Sequence, residues 1–215
     1  DIPAGVRPQR RLPVEPPQTS FLKKIHQSKV PVDALYLAFH IPGRIDKDYY
    51  AIDILSDVLC NGKSSRLYRR LLKEQKIFSQ IDAYITGNVE PGLLIIEGKP
   101  AEGVSIETAE AAIWKELEEL KAEKISEHEL RKLKNKIEST LEFSEASVLN
   151  KAINLAFFEL IGDANIINVR RYLHNGKQNI DSRKLLRTFL LKSWTRSNTS
   201  KWKWNYLIRY ECTNI

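Results

Sequence analysis

Four histidines, His26, His40, His128 and His174, come first, because two imidazoles one helical turn apart with a glutamate beside them would suit metal-assisted hydrolysis. They are scattered, and no two stand four residues apart. Two cysteines, Cys60 and Cys212, supply neither a disulfide framework nor a four-thiolate zinc site. His128 lies in Glu127-His128-Glu129, the first turn of a charged helix, where carboxylates complement the helix dipole and a solvated surface is the simpler reading. His40 sits on the polar side of a strand with no sequence neighbour to act with. Gly62-Lys63-Ser64 falls short of a phosphate loop, since Asp57 occupies the place of the first glycine and a helix precedes it instead of a strand. Cys60 ends an apolar helix and reads as a small buried residue. Glu116, Glu118, Glu119 and Glu123 interleave with Lys115, Lys121 and Lys124 as a solvated helix face would. No serine, cysteine or lysine has a recognisable base beside it. The expectation is a chain with no catalytic residue, no metal ligands and no cofactor of its own.

The elements that would position any site must fit 215 residues, 42% apolar and 28% charged, which suits one compact domain. No apolar run approaches the roughly 18 residues of a membrane span, and the N-terminus does not resemble a signal peptide. The chain has no methionine and starts at Asp1, so it reads as a piece of a longer protein. The net charge of +7 is uneven. Residues 170–215 hold 11 Lys/Arg against 2 Asp/Glu, leaving 23 against 25 for the remainder. A basic, Trp-bearing tail allows stacking and phosphate contacts with nucleic acid, but the nearly neutral body makes that partner unlikely to be the chain's business.

Residues 1–20 carry Pro3, Pro8, Pro13, Pro16 and Pro17 and read as an interdomain linker. Residues 21–171 form the expected domain, and 172–215 an atypical basic tail that completes or extends it. Asp33–Ile41 alternates, with Leu35, Leu37, Phe39 and Ile41 on one face, and predicts a half-buried strand. Asp46 is placed to cap a helix with the stripe Tyr50, Ile54, Leu55, Val58 and Leu59. Asn61-Gly62 breaks it, and Ser64 or Ser65 opens a basic second helix, Arg66–Gln75. Ser79–Gly87 and Gly92–Lys99 predict an antiparallel hairpin, and the continuous run Leu93–Ile96 suggests cover on both faces. Three helices follow. One starts at Ser105, with Ile106, Ala109, Ile113, Leu117 and Leu120 on one side. The next starts at the capping-box pattern Ser126-x-x-Glu129 and carries Leu130, Leu133, Ile137 and Leu141. The third carries Leu149, Ile153, Ala156 and Leu160. Arg183–Lys192 reads as a helix and Tyr206–Tyr210 as a short strand. The order β-β-α-α-β-β-α-α-α predicts an α+β fold: a two-layer sandwich of a mainly antiparallel sheet with helices packed on one face.

Three segments resemble one family: Asp33-Ala-Leu-Tyr-Leu-Ala-Phe-His-Ile-Pro42, Asp48-Tyr-Tyr-Ala-Ile-Asp-Ile-Leu-Ser-Asp-Val-Leu59 and Gly62-Lys-Ser-Ser-Arg-Leu-Tyr-Arg-Arg-Leu71. They are similar to the second, metal-free half of the pitrilysin/insulinase-type zinc metallopeptidases, and the likeness runs from about Phe21 to Arg171. The resemblance implies an α/β sandwich that closes, clam-like, with a homologous zinc-bearing half around a peptide chamber. The zinc belongs to that partner half, on an H-x-x-E-H motif absent here. The partner would be the same chain upstream or a separate subunit, in the cytoplasm or the cell envelope. The metal-free half often lends an Arg and a Tyr to the substrate, seven positions apart. Those positions fall here on Leu72 and Ser79, so the substrate-contact candidates become Arg69, Arg70, Ser79 and Tyr84. The alternative is a scaffold subunit of the same family that has lost catalysis.

Overall fold

The computed structural model describes residues 22–46, 48–122, 125–165 and 206–212, together with Gly5, Ser20 and Ile167. The linker reading of residues 1–20 and the helix reading of Arg183–Lys192 fall almost wholly outside them. Strands β1 (Leu22–Ser28), β2 (Ala34–Ile41), β3 (Phe78–Ile85), β4 (Gly92–Pro100) and β5 (Tyr206–Cys212) form one sheet in the order β1-β5-β2-β4-β3. β2 pairs antiparallel with β4 and with β5, and β3 pairs antiparallel with β4. Only β1 and β5 run parallel. The fold is the α+β sandwich that the pattern predicts.

One face of the sheet carries the core. Leu35, Leu37, Phe39 and Ile41 of β2 alternate with half-exposed neighbours, and Leu94 and Ile96 of β4 lie beside them. Helices α1 (Tyr49–Cys60) and α2 (Ile106–Ala122) cover this face, their stripes Ile54, Leu55, Val58, Leu59 and Ile113, Leu117, Leu120 all buried. A β-strand turns alternate side chains to opposite faces, so one helical layer suffices to impose the period of two. The run Leu93–Ile96 is therefore not covered twice: Leu94 and Ile96 are core, while Leu93 and Ile95 are only half-buried on the other face.

Local chemistry sets the helix ends. Asp46 stands two residues before the cap position, Asp48, and its carboxylate accepts from the Asp48 amide at 2.8 Å. Ser126 caps α3 (Glu127–Glu145) through the Glu129 amide at 3.1 Å, and Ser147 caps α4 (Val148–Ile161) through Asn150. The basic segment predicted as an ordinary helix is wound differently. Tyr68–Glu74 is π-helical, with the Gln75 amide reaching back five residues to the Arg70 carbonyl. It ends at Lys76, a non-glycine residue with φ 53°. On α4 the predicted stripe faces outward: Leu149, Ile153 and Leu160 are exposed, and Phe158 is the residue that packs inward. Four apolar residues at helical spacing define a stripe but not the side on which it meets the body.

The β2–α1 loop meets the β3–β4 link closely. The Arg44 amide donates to the Asn88 and Val89 carbonyls, both at 3.2 Å. The Arg44 guanidinium stacks over the Phe157 ring of α4, 4.7 Å from its centre. A Cβ at Gly43 would stand 2.2 Å from the Val89 carbonyl oxygen and 2.9 Å from the Glu90 carbonyl carbon. Both are backbone atoms that cannot rotate away. Gly43→Ala is expected to lower stability by about 1–3 kcal/mol, the usual cost of forcing extra volume into a packed contact. Urea denaturation checks this, and an unchanged midpoint would contradict the contact.

Candidate functional site

Two groups of polar side chains stand out, one on the helical layer and one on the open face of the sheet. Arg66, just before the π-helical turn, and Arg70 within it reach toward α3 and α2. Arg66 forms a two-pronged pair with Glu129, at 3.2 and 3.0 Å. Arg70 Nη1 donates to Glu116 Oε2 at 2.8 Å and also to Glu119. Glu116 is 4% exposed, so its reading as part of a solvated face is corrected. Burial disfavours the charged Arg70, but hydrogen bonds and charge from Glu116, then Glu119, outweigh it and hold its pKa above the ordinary value. Arg69, by contrast, reaches only the exposed Glu74, at 3.6 Å.

The open face is built by strand register. Tyr36, Glu97 and Asp82 stand opposite one another across β2, β4 and β3. Ala38, Ile95 and Tyr84 form the adjacent row. Tyr84, 40% exposed, donates to Glu97 Oε2 at 3.3 Å. Burial first, and then the Glu97 carboxylate, push its phenol above the usual tyrosine range, so it is a neutral donor at physiological pH. Lys99 donates to Gln80 on the same face. Each polar position is visible in the alternation of its own strand. Their assembly into a row is not, because it needs the register of three strands at once.

The predicted site residues do not converge. Arg70 is committed to α2, while Arg69 is exposed on the π-helical turn. Tyr84 stands on the open face. Ser79 is the extra residue of a bulge between Phe78 and Gln80, and its hydroxyl donates to the Lys99 and Pro100 carbonyls. Leu72, at the other family position, packs half-buried against the core. His26, His40 and His128 lie on β1, β2 and α3 respectively. Among the described residues, no group of three or more His, Cys, Asp or Glu could hold a metal ion, so these residues do not fit a zinc site.

The sequence profile of the peptidase M16 inactive domain matches residues 1–137, more than half of the chain. The chain belongs to that family. Solved structures agree on the fold of this inactive M16 domain. A protease from Helicobacter pylori superposes with a TM-score of 0.78 at 18% identity, over 91% of this chain and 45% of its own. An inactive peptidase domain from Bordetella parapertussis gives 0.66 at 19% identity, covering 74% of this chain and 86% of its own. A peptidase M16 inactive domain from Pseudomonas fluorescens gives 0.66 at 14% identity, covering 91% and 44%. The chain therefore spans less than half the length of the Helicobacter protein. Curated proteins yield no sequence match. Among the described residues, no helix is long and apolar enough to cross a membrane.

In this inactive M16 domain the buried Glu116 is tied to Arg70. Glu116→Ala leaves Arg70 with Glu119 alone, and is expected to cost about 1–3 kcal/mol, less than a fully buried pair because Arg70 remains partly hydrated. Glu118→Ala, which removes an exposed carboxylate paired with Lys121, is expected to cost under about 1 kcal/mol. Parallel urea titrations check both, and equal losses would contradict the difference in burial.

Proposed function

We propose that this chain is the non-catalytic, chamber-forming half of a zinc-dependent peptidase that degrades or processes peptides. In this reading it works with a homologous half that carries the H-x-x-E-H zinc site, upstream in the same protein or on a separate subunit. The observation that carries the reading is the match of the inactive-domain profile across residues 1–137. The open face supports it, because the phenols and carboxylates on neighbouring strands suit the C=O and N–H groups of an extended peptide.

Of the four substrate-contact candidates, only Tyr84 stands on the open face, and we assign it the peptide contact; Arg69 lies on the helical layer and does not share that surface. To donate to a peptide carbonyl or a developing oxyanion, the Tyr84 hydroxyl would exchange Glu97 Oε2 for the substrate oxygen. Arg70 and Ser79 are already engaged within the domain. Leu72 and Ser79 at the family's Arg and Tyr positions favour a second reading, a scaffold subunit that has lost catalysis.

Zinc analysis and a peptide-cleavage assay on the isolated chain, then on its mixture with the zinc-bearing half, test the proposal. The chain alone is expected to hold no stoichiometric zinc and to cleave nothing, while the mixture cleaves peptide. Stoichiometric zinc or turnover by the chain alone would overturn the proposal. A stable complex without cleavage would establish the scaffold reading instead.

A further inference from the structure

Among the described residues β3 pairs only with β4, so it is a free edge of the sheet. Along an antiparallel edge strand every second residue turns its peptide N–H and C=O away from the sheet, a ready template for another chain. On β3 two of these residues are Ile81 and Ala83, and both have an outward group already engaged. The Ala83 amide donates to Asp82 Oδ1 at 2.8 Å, a local side-chain contact that replaces a strand partner. The Ile81 carbonyl accepts from the Cys60 thiol at 3.1 Å, at the end of α1. Asp82 lies on the open face and Cys60 in the core, so the edge is closed from both sides of the sheet.

The two caps are close enough to feel each other. Burial, then the charge of Asp82, push the Cys60 thiol up to about 12, against an opposing pull from the Ala83 amide. The sulfur therefore keeps its proton and stays a donor. At the start of the strand the Ser79 bulge adds a third obstacle, because an extra residue breaks the regular spacing that a new strand would have to match.

We propose that Asp82 and Cys60 together seal the β3 edge and prevent a second copy of this chain from adding to the sheet there. This concerns how the domain avoids self-assembly and does not depend on the peptidase reading. An unsealed edge would extend β3 antiparallel or parallel to the same strand of a second molecule. Its outward groups at Ile81 and Ala83 would then find intermolecular partners.

Residue-resolved amide exchange and sedimentation velocity on the 215-residue chain test the proposal. In Asp82→Ala the Ala83 amide is expected to exchange about fivefold faster than in the parent, the effect of losing one hydrogen bond. The double variant Asp82→Ala/Cys60→Ala is expected to gain mass with concentration, while Ala83 becomes more protected as it does so. Cys60→Ser, which keeps a donor, is expected to behave as the parent. Asp82 is exposed, so the single variant tests the seal even where the double variant does not fold. Equal Ala83 exchange in parent and Asp82→Ala would overturn the proposal. So would a folded double variant whose mass and exchange ignore concentration.

Discussion

Strand β5 arrives from the far end of the chain and fills the gap between β1 and β2. It pairs in parallel with Leu22–Ser28 on one side and antiparallel with Ala34–Tyr36 and their neighbours on the other. Closing so long a loop costs entropy that grows slowly with its length, and the return is a sheet without an internal break. The described side chains of β1, Leu22 to Gln27, are all exposed, and Lys23 pairs with Glu110 of α2 at 3.4 Å. Exposed surface pairs contribute little. The place of β1 in the sheet order follows from its pairing with β5.

A second constraint organises the helical layer. Arg66 and Arg70 of the Gly62–Glu74 region are held by three carboxylates on α2 and α3, Glu116, Glu119 and Glu129. Glu129 shows how this competes with local rules. Its amide completes the Ser126 cap, while its carboxylate reaches Arg66 instead of turning back to the cap. The π-helical winding of Tyr68–Glu74 lies in the same region as these ties. A tie between Arg70 and a nearly buried Glu116 fixes orientation more than it adds stability, because both charges lose hydration when they meet.

What the sequence shows and what it hides divides along these lines. Asp33–Ile41, the α1 and α2 stripes, the Ser126 cap and the β3–β4 hairpin are legible because one-sided burial and capping leave local marks. The predicted order counts a strand before Asp33–Ile41 but gives it no bounds, because Leu22-Lys23-Lys24-Ile25-His26-Gln27 has no buried face to impress a period of two. The outward stripe of α4 and the burial of Glu116 depend on partners distant in sequence. The same holds for the row Tyr36, Glu97 and Asp82, which exists only through register. The candidate contacts Arg69, Arg70, Ser79 and Tyr84 are identifiable in the sequence as polar groups near the segments that carry the resemblance. Their separation onto a tie, a bulge and an open face required the fold.

The family assignment gives the architecture its meaning: it is the fold of the inactive half of M16 peptidase-like proteins. That architecture stands only if the strand from the chain's end lies where the sheet needs it. Residue-by-residue amide exchange across β1, β5 and β2 in the intact chain tests this most directly. The account predicts that those amides of Lys23–Gln27 that face β5 are protected and open together with Leu207–Glu211, and that β2 is protected on both of its edges. Free exchange throughout β1, with β2 protected only at the amides that face β4, would contradict it.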